Sequence, residues 1–183
     1  TEEGTARIRT HNLEPKLIPE EYVSRLRGSI VLLGPLLARF GVVEMAYPGG
    51  CVLGKRPVGA HVAALQQLGA QDFSTDEVLH LQGDLKAGEV VLPEFSVTAT
   101  ENALLAAALL PGESVIRLAA AEPHVQEVSK LVQNMGAEVD GIGTHDLTIR
   151  GKKDLACCEH TVTFDYLEAG ALAIAGLVTR GKL

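Results

Sequence analysis

Residues Val42–Gly69 read V-V-E-M-A-Y-P-G-G-C-V-L-G-K-R-P-V-G-A-H-V-A-A-L-Q-Q-L-G. The first five residues form a short apolar run that predicts a strand, Val42–Ala46. Tyr47–Pro57 then packs Pro48, Gly49, Gly50 and Gly54 around Cys51; proline fixes φ and glycine frees it, so this is a shaped loop. Pro57 suits the first turn of a helix, predicted to run to Leu68 and stop at Gly69. Strand, loop and helix in this order announce an α/β fold.

The surrounding chain repeats the pattern. Upstream, Thr5–Thr10 reads as a strand, and a helix begins near Glu20 and ends at Gly41, with Gly34-Pro35 predicted to kink it. Downstream come a strand over Val78–Leu81 closed by Gly83, a strand at Val90–Leu92, a helix over Val97–Leu110, a strand at Val115–Leu118, a helix over Pro123–Met135 and a strand at Asp146–Ile149. A further copy opens with a strand at Val162–Phe164 and a helix over Tyr166–Thr179. The helix-stop glycines Gly41, Gly112 and Gly181 are 71 and 69 residues apart, Gly69 and Gly136 are 67 apart, and Gly83 and Gly151 are 68 apart. A unit of about 70 residues is therefore repeated, and the chain is expected to enter and leave in mid-unit.

Composition narrows the function. The 183 residues are 46% hydrophobic and 21% charged, without tryptophan, so the core is built from Ala, Leu, Val and Ile. A net charge of −7 argues against nucleic acid as a partner. No apolar run reaches a membrane span and no signal segment is recognisable. Three cysteines, two of them adjacent, make no disulfide framework, and a cytoplasmic location is expected.

Chemistry concentrates at the loop. Cys51 lies beside Lys55 and Arg56, two cations that lower a thiol's pKa and favour the thiolate. Arg56 is suited to holding a phosphate or carboxylate through two parallel hydrogen bonds. Cys157-Cys158 with His160 does not make a metal site, because adjacent residues of an extended segment point to opposite faces and no second ligand pair follows.

The run R-L-R-G-S-I-V-L-L-G-P-L-L-A-R-F-G (Arg25–Gly41) followed by P-G-G-C-V-L-G-K-R-P-V-G-A-H (Pro48–His61) resembles the UDP-N-acetylglucosamine 1-carboxyvinyltransferases, bacterial enolpyruvyl transferases. S-V-T-A-T (Ser96–Thr100), A-A-A-E-P (Ala119–Pro123), N-M-G-A (Asn134–Ala137) and R-G-K-L (Arg180–Leu183) match in the same order. The resemblance covers essentially the whole chain but under half of the family's length. It implies two similar domains, each an inside-out α/β barrel of three βαβαββ units. Residues 1–141 would be the later part of the first domain and residues 142–183 the start of the second, with the crossover near Ile142–Thr144.

The resemblance also implies an activity: transfer of the enolpyruvyl group of phosphoenolpyruvate to the 3-hydroxyl of UDP-N-acetylglucosamine, releasing phosphate, without metal or organic cofactor. This opens peptidoglycan precursor synthesis. Cys51 matches the general acid, the thiol that fosfomycin alkylates in the family. Arg56 and Arg27 match substrate-contacting arginines. Arg56, Pro57, Val58, Gly59 and Ala60 match the segment lining the uridine pocket, and Glu94, Phe95, Ser96 and Val97 match a second nucleotide-contacting segment. Gly59 stands where some members have aspartate, and Glu94 where some have lysine. His61 and Glu122 are secondary candidates; a packing histidine and a helix-dipole carboxylate are the plainer readings. The family's catalytic base and remaining substrate clamps have no counterpart among these residues, so the isolated segment is expected to be inactive. The rival reading is a non-catalytic nucleotide-sugar or anion-binding module; a thiol redox protein is disfavoured by the lack of a resolving cysteine near Cys51.

Overall fold

The computed structural model describes residues 4–10, 13, 18–49 and 57–182. Cys51, Lys55 and Arg56 lie outside the described residues. One complete unit runs from β4 to β7, in the order β4 (Glu89–Val91), α4 (Val97–Ala108), β5 (Gly112–Arg117), α5 (Pro123–Asn134), β6 (Glu138–Asp140) and β7 (Asp146–Gly151). Its sheet has the order β4-β5-β7-β6; β4 is parallel to β5, and the other pairs are antiparallel.

The preceding residues repeat that wiring. After the short α1 (Glu20–Val23) and a 3-10 stretch over Arg27–Leu32 come α2 (Leu33–Phe40), β1 (Val42–Ala46), α3 (Gly59–Gln67), β2 (Gln71–Asp72) and β3 (Val78–Gln82). The sheet order is β1-β3-β2, both pairs antiparallel, and Ile18 bridges Met45 in parallel where β4 stands in the later unit. The periodicity of the glycines thus reports a repeated βαβαββ topology. Gly41, Gly69 and Gly136 each take positive φ at the helix ends, the conformation a left-handed cap requires.

Helices from both units share one core. Leu33 and Leu37 of α2, Leu65 of α3 and Leu104 of α4 are fully or almost fully buried with Leu79, Leu81, Ile116 and Ile149 from the sheets. Alanines at 99, 103, 106 and 107 let α4 sit at the centre, against both α2 and α3. Asn102, wholly buried, locks this packing: Gly34 N donates to its Oδ1 at 2.7 Å, and its Nδ2 donates to Ile30 O at 3.0 Å. A Cβ at Gly34 would overlap the Asn102 carbonyl, so glycine is required by close approach.

Three expectations need correction. The helix from Glu20 breaks at Ser24–Leu26, not at Gly34-Pro35; these two residues sit in the first turn of α2, where proline's missing N–H removes no helical bond. Residues 6–10 carry no strand, Thr5 makes a single β-bridge, and Ile8 is 84% exposed. Val162–Phe164 forms no strand either: the Thr163 amide donates to the Glu127 carboxylate at 3.3 Å instead of to a neighbouring strand.

The connector after β7 lies along α5. Ala156 N donates to Met135 O at 2.8 Å, His160 Nε2 meets Glu127 Oε1 at 2.7 Å, and the Tyr166 ring stacks on His124 with centroids 5.6 Å apart. The bond from His160 holds the Glu127 carboxyl below its ordinary range. Beyond it, α6 (Tyr166–Thr179) has no buried residue and exposes Leu167, Leu172, Ile174, Leu177 and Val178. Residues 141–145 turn between β6 and β7, so one sheet continues through Ile142–Thr144.

Candidate functional site

Both described ends of the cysteine loop reach one cleft. Pro48 and Pro57 line it together with Arg27, Tyr47, Asp76 and Glu77, and its volume is about 860 Å³. Gly49 fixes one root of the loop: its amide donates to Val23 O at 3.3 Å, and a Cβ there would overlap the Ser24 carbonyl. Tyr47 braces the same root by donating its hydroxyl to Thr75 O at 2.9 Å. At the other root, Arg27 Nη2 donates to Pro57 O at 3.3 Å. The guanidinium from the first residue of the 3-10 stretch is therefore held where the loop turns into α3. Asp76 and Glu77 also line the cleft, so an anion is favoured on the Arg27–Pro57 side only.

His61 joins two segments that are 37 residues apart. Its Nδ1–H donates to Val58 O at 3.3 Å, which leaves Nε2 to accept the Thr98 hydroxyl at 2.8 Å. The bond fastens the first turn of α3 to the first turn of α4. Two helix N-termini with unsatisfied amides are thereby set side by side, an arrangement suited to a diphosphate. His61 is 3% exposed. Burial pushes its pKa down from 6.5 to about 4, the Val58 carbonyl opposes the shift, and the charge of Arg27 adds to it. At neutral pH it is a neutral brace, not a proton carrier.

Of the expected positions, Cys51 and Arg56 lie outside the described residues, and others stand at the entries of α3 and α4. Pro57, Val58, Gly59 and Ala60 form the entry to α3. Glu94 and Phe95 are exposed ahead of Ser96, which caps α4 by accepting from Ala99 N at 3.4 Å, and Val97 begins the helix. Glu122 stands at the N-cap of α5, where its backbone carbonyl caps the helix and its side chain makes no capping bond.

Two polar residues of α4 escaped the sequence reading. Thr98 is the partner of His61, and its only sequence signal is its place two residues after the capping Ser96. Glu101 is 8% exposed, and burial raises its carboxyl pKa, with His124 pulling the other way. A charged residue amid V-T-A-T-E-N-A-L-L-A-A-A was a visible signal for a special environment. Among the described residues no group of three or more His, Cys, Asp or Glu is placed to hold a metal ion, and no helix is long and apolar enough to cross a membrane.

The sequence pattern of the family described as EPSP synthase (3-phosphoshikimate 1-carboxyvinyltransferase) matches residues 1–183. A UDP-N-acetylglucosamine 1-carboxyvinyltransferase of Shewanella halifaxensis is 41% identical over 187 residues, covering 100% of this chain and 44% of its own length. Its counterpart in Treponema denticola is 40% identical over 182 residues, covering 100% of this chain and 43% of its own length. The chain thus spans somewhat under half of these relatives. Among solved structures, the enolpyruvyl transferase NikO from Streptomyces tendae superimposes with a TM-score of 0.72 at 21% identity, covering 87% of this chain and 38% of that one. An EPSP synthase from Acinetobacter baumannii gives a TM-score of 0.54 at 25% identity, covering 70% of this chain and 29% of that one.

Proposed function

Because the chain belongs to the EPSP synthase (3-phosphoshikimate 1-carboxyvinyltransferase) family, we propose that it is the cysteine-loop segment of an enolpyruvyl transferase that uses phosphoenolpyruvate and UDP-N-acetylglucosamine. The observation that carries this reading is the His61–Thr98 bond, which sets the entries of α3 and α4 together beside Arg27. Those entries hold Pro57–Ala60 and Glu94–Val97, two segments that share this position in the fold although 37 residues separate them in sequence. Their amides suit the diphosphate of a nucleotide sugar, while Arg27 and Arg56 suit the phosphate and carboxylate of phosphoenolpyruvate.

The chemistry follows from these parts. Cys51 protonates the enol carbon, and the developing positive charge on the adjacent carbon is met by the sugar hydroxyl once a base takes its proton. Loss of phosphate, together with return of a proton from the new methyl group to a base, then restores the carbon–carbon double bond and completes the transfer. The arginines bind the anionic groups throughout and keep their charge at any working pH. The base is not among the candidates in this chain, so residues 1–183 alone leave the reaction incomplete. The setting proposed for it is peptidoglycan precursor synthesis in the cytoplasm, with fosfomycin acting at Cys51.

The division into a first domain and the beginning of a second belongs to the same proposal. The first domain would hold residues 1–141 and the second would begin with residues 142–183. The test is phosphate release by the complete gene product carrying this sequence, supplied with both substrates. Turnover that disappears in Cys51→Ala supports the reading. Absence of turnover in the complete wild-type product overturns it.

A further inference from the structure

Phe95 stands one residue before the cap of α4 and is 57% exposed, an unusual place for a phenyl ring in a chain with few aromatics. It does not lie loose. The ring of His145, at the β6–β7 turn, packs against it with centroids 4.6 Å apart and planes inclined by 55°. That is the tilted geometry aromatic quadrupoles prefer. His145 is in turn fixed twice to Ala119: its Nδ1–H donates to Ala119 O at 2.8 Å, and its own carbonyl accepts from Ala119 N at 2.9 Å. Ala119 is wholly buried two residues after β5, so the exposed imidazole is tethered to core backbone beside the half-exposed Phe95 ring.

We infer that Phe95 and His145 together form a rigid aromatic platform for the planar base of the bound nucleotide, with His145 as the residue that positions the Phe95 ring. The inference rests on the nucleotide-sugar reading above and adds a specificity determinant on a separate turn. A ring kept exposed has no packing reason to be held still, whereas a stacking surface gains from being held, because no side-chain freedom is lost when the ligand arrives. The platform also adjoins the right groups. Phe95 precedes Ser96 and Val97, and Thr98 in the same turn is bonded to His61 of α3. A nucleotide whose diphosphate meets the paired helix entries therefore has its flat base within reach of Phe95.

The experiment uses the complete gene product and three probes: UDP-N-acetylglucosamine, UDP and inorganic pyrophosphate, which lacks a base. His145→Ala is expected to raise the Kd for UDP and the KM for UDP-N-acetylglucosamine by about three- to tenfold, the range of one aromatic contact. Pyrophosphate affinity and kcat should stay as in the wild type, and His145→Phe should recover most of the loss by returning a ring. Phe95→Ala, at an exposed position that folding tolerates, should show the same base-dependent loss and decides the matter if His145→Ala does not fold. Wild-type binding of UDP with no change in the variants overturns the platform alone. Equal weakening of UDP and pyrophosphate overturns it as well, since that marks a general distortion. Failure of the wild type to bind UDP at all removes the nucleotide reading and the platform with it.

Discussion

His61 Nε2 lies 2.8 Å from Thr98 Oγ1, and this bond ties the first turn of α3 to the first turn of α4. The acceptor role of Nε2 requires a neutral imidazole, and burial enforces it by lowering the pKa from 6.5 to about 4. A base with a depressed folded-state pKa contributes stability above its unfolded pKa and loses it as pH falls through the folded one. Stability should therefore decline between about pH 6.5 and pH 4, by about 3 kcal/mol if the whole shift is expressed. Urea unfolding across that range measures it. His61→Gln, which cannot be protonated, should flatten this part of the profile; an unchanged slope would place the acid sensitivity elsewhere.

Glu101 gives the opposite slope. Its carboxyl is buried in α4 and its pKa is raised, chiefly by loss of water. An acid with a raised folded-state pKa contributes stability that is fully present below its unfolded pKa and is lost as pH rises through the folded one. Glu101→Gln removes the ionisation and keeps the shape, so it should be at least as stable as the wild type at neutral pH. Its advantage should vanish under acid conditions. A variant less stable than the wild type at pH 7 would show that the carboxylate is ionised and paired in the folded chain.

Asn102 and Gly34 test the joint between the units. Asn102→Ala leaves the Gly34 amide and the Ile30 carbonyl buried without their partner, at a cost of about 1–3 kcal/mol for each unsatisfied group. Gly34→Ala drives a methyl into the Asn102 backbone and should cost at least about 2 kcal/mol, because backbone cannot move aside as a side chain does. Thermal unfolding of both variants checks this, and a shift under one degree in either would mean that α2 and α4 slide apart freely.

Glycine spacing made the repeat legible, because helix stops need positive φ and Gly41, Gly69 and Gly136 supply it at matching places. Most elements were legible from apolar runs between those stops. β2 and β6 were not: Q-D and E-V-D contain one buried residue between them, too little for a hydrophobic signal, and only pairing with β3 and β7 defines them. The break at Ser24–Leu26 was equally hidden, since proline and glycine drew attention to positions 34 and 35 where the helix tolerates both. In the site, loop chemistry around Cys51 could be read directly, but the bond joining His61 to Thr98 could not. It depends on two helices packing with their entries together, and no local spacing encodes that.

The final prediction concerns Cys51 itself. Lys55 and Arg56 stand within five residues of it, and cations that close favour the thiolate, which is the form that attacks an alkylating reagent. Cys157 and Cys158 provide an internal control, because both are exposed free thiols and reagent reaches them without hindrance. Any excess rate at Cys51 therefore reports thiolate character and not simple access. With a limiting amount of iodoacetamide at pH 7, Cys51 should be labelled several-fold faster than either of the other two, as read by peptide mass spectrometry. The excess should shrink as pH rises past about 8.5, where an ordinary thiol also ionises. It should shrink in Lys55→Ala/Arg56→Ala as well, where the neighbouring charge is gone. Equal labelling of the three cysteines at pH 7 would mean that the two cations do not act on the thiol, and the acid role proposed for Cys51 would lose its electrostatic support.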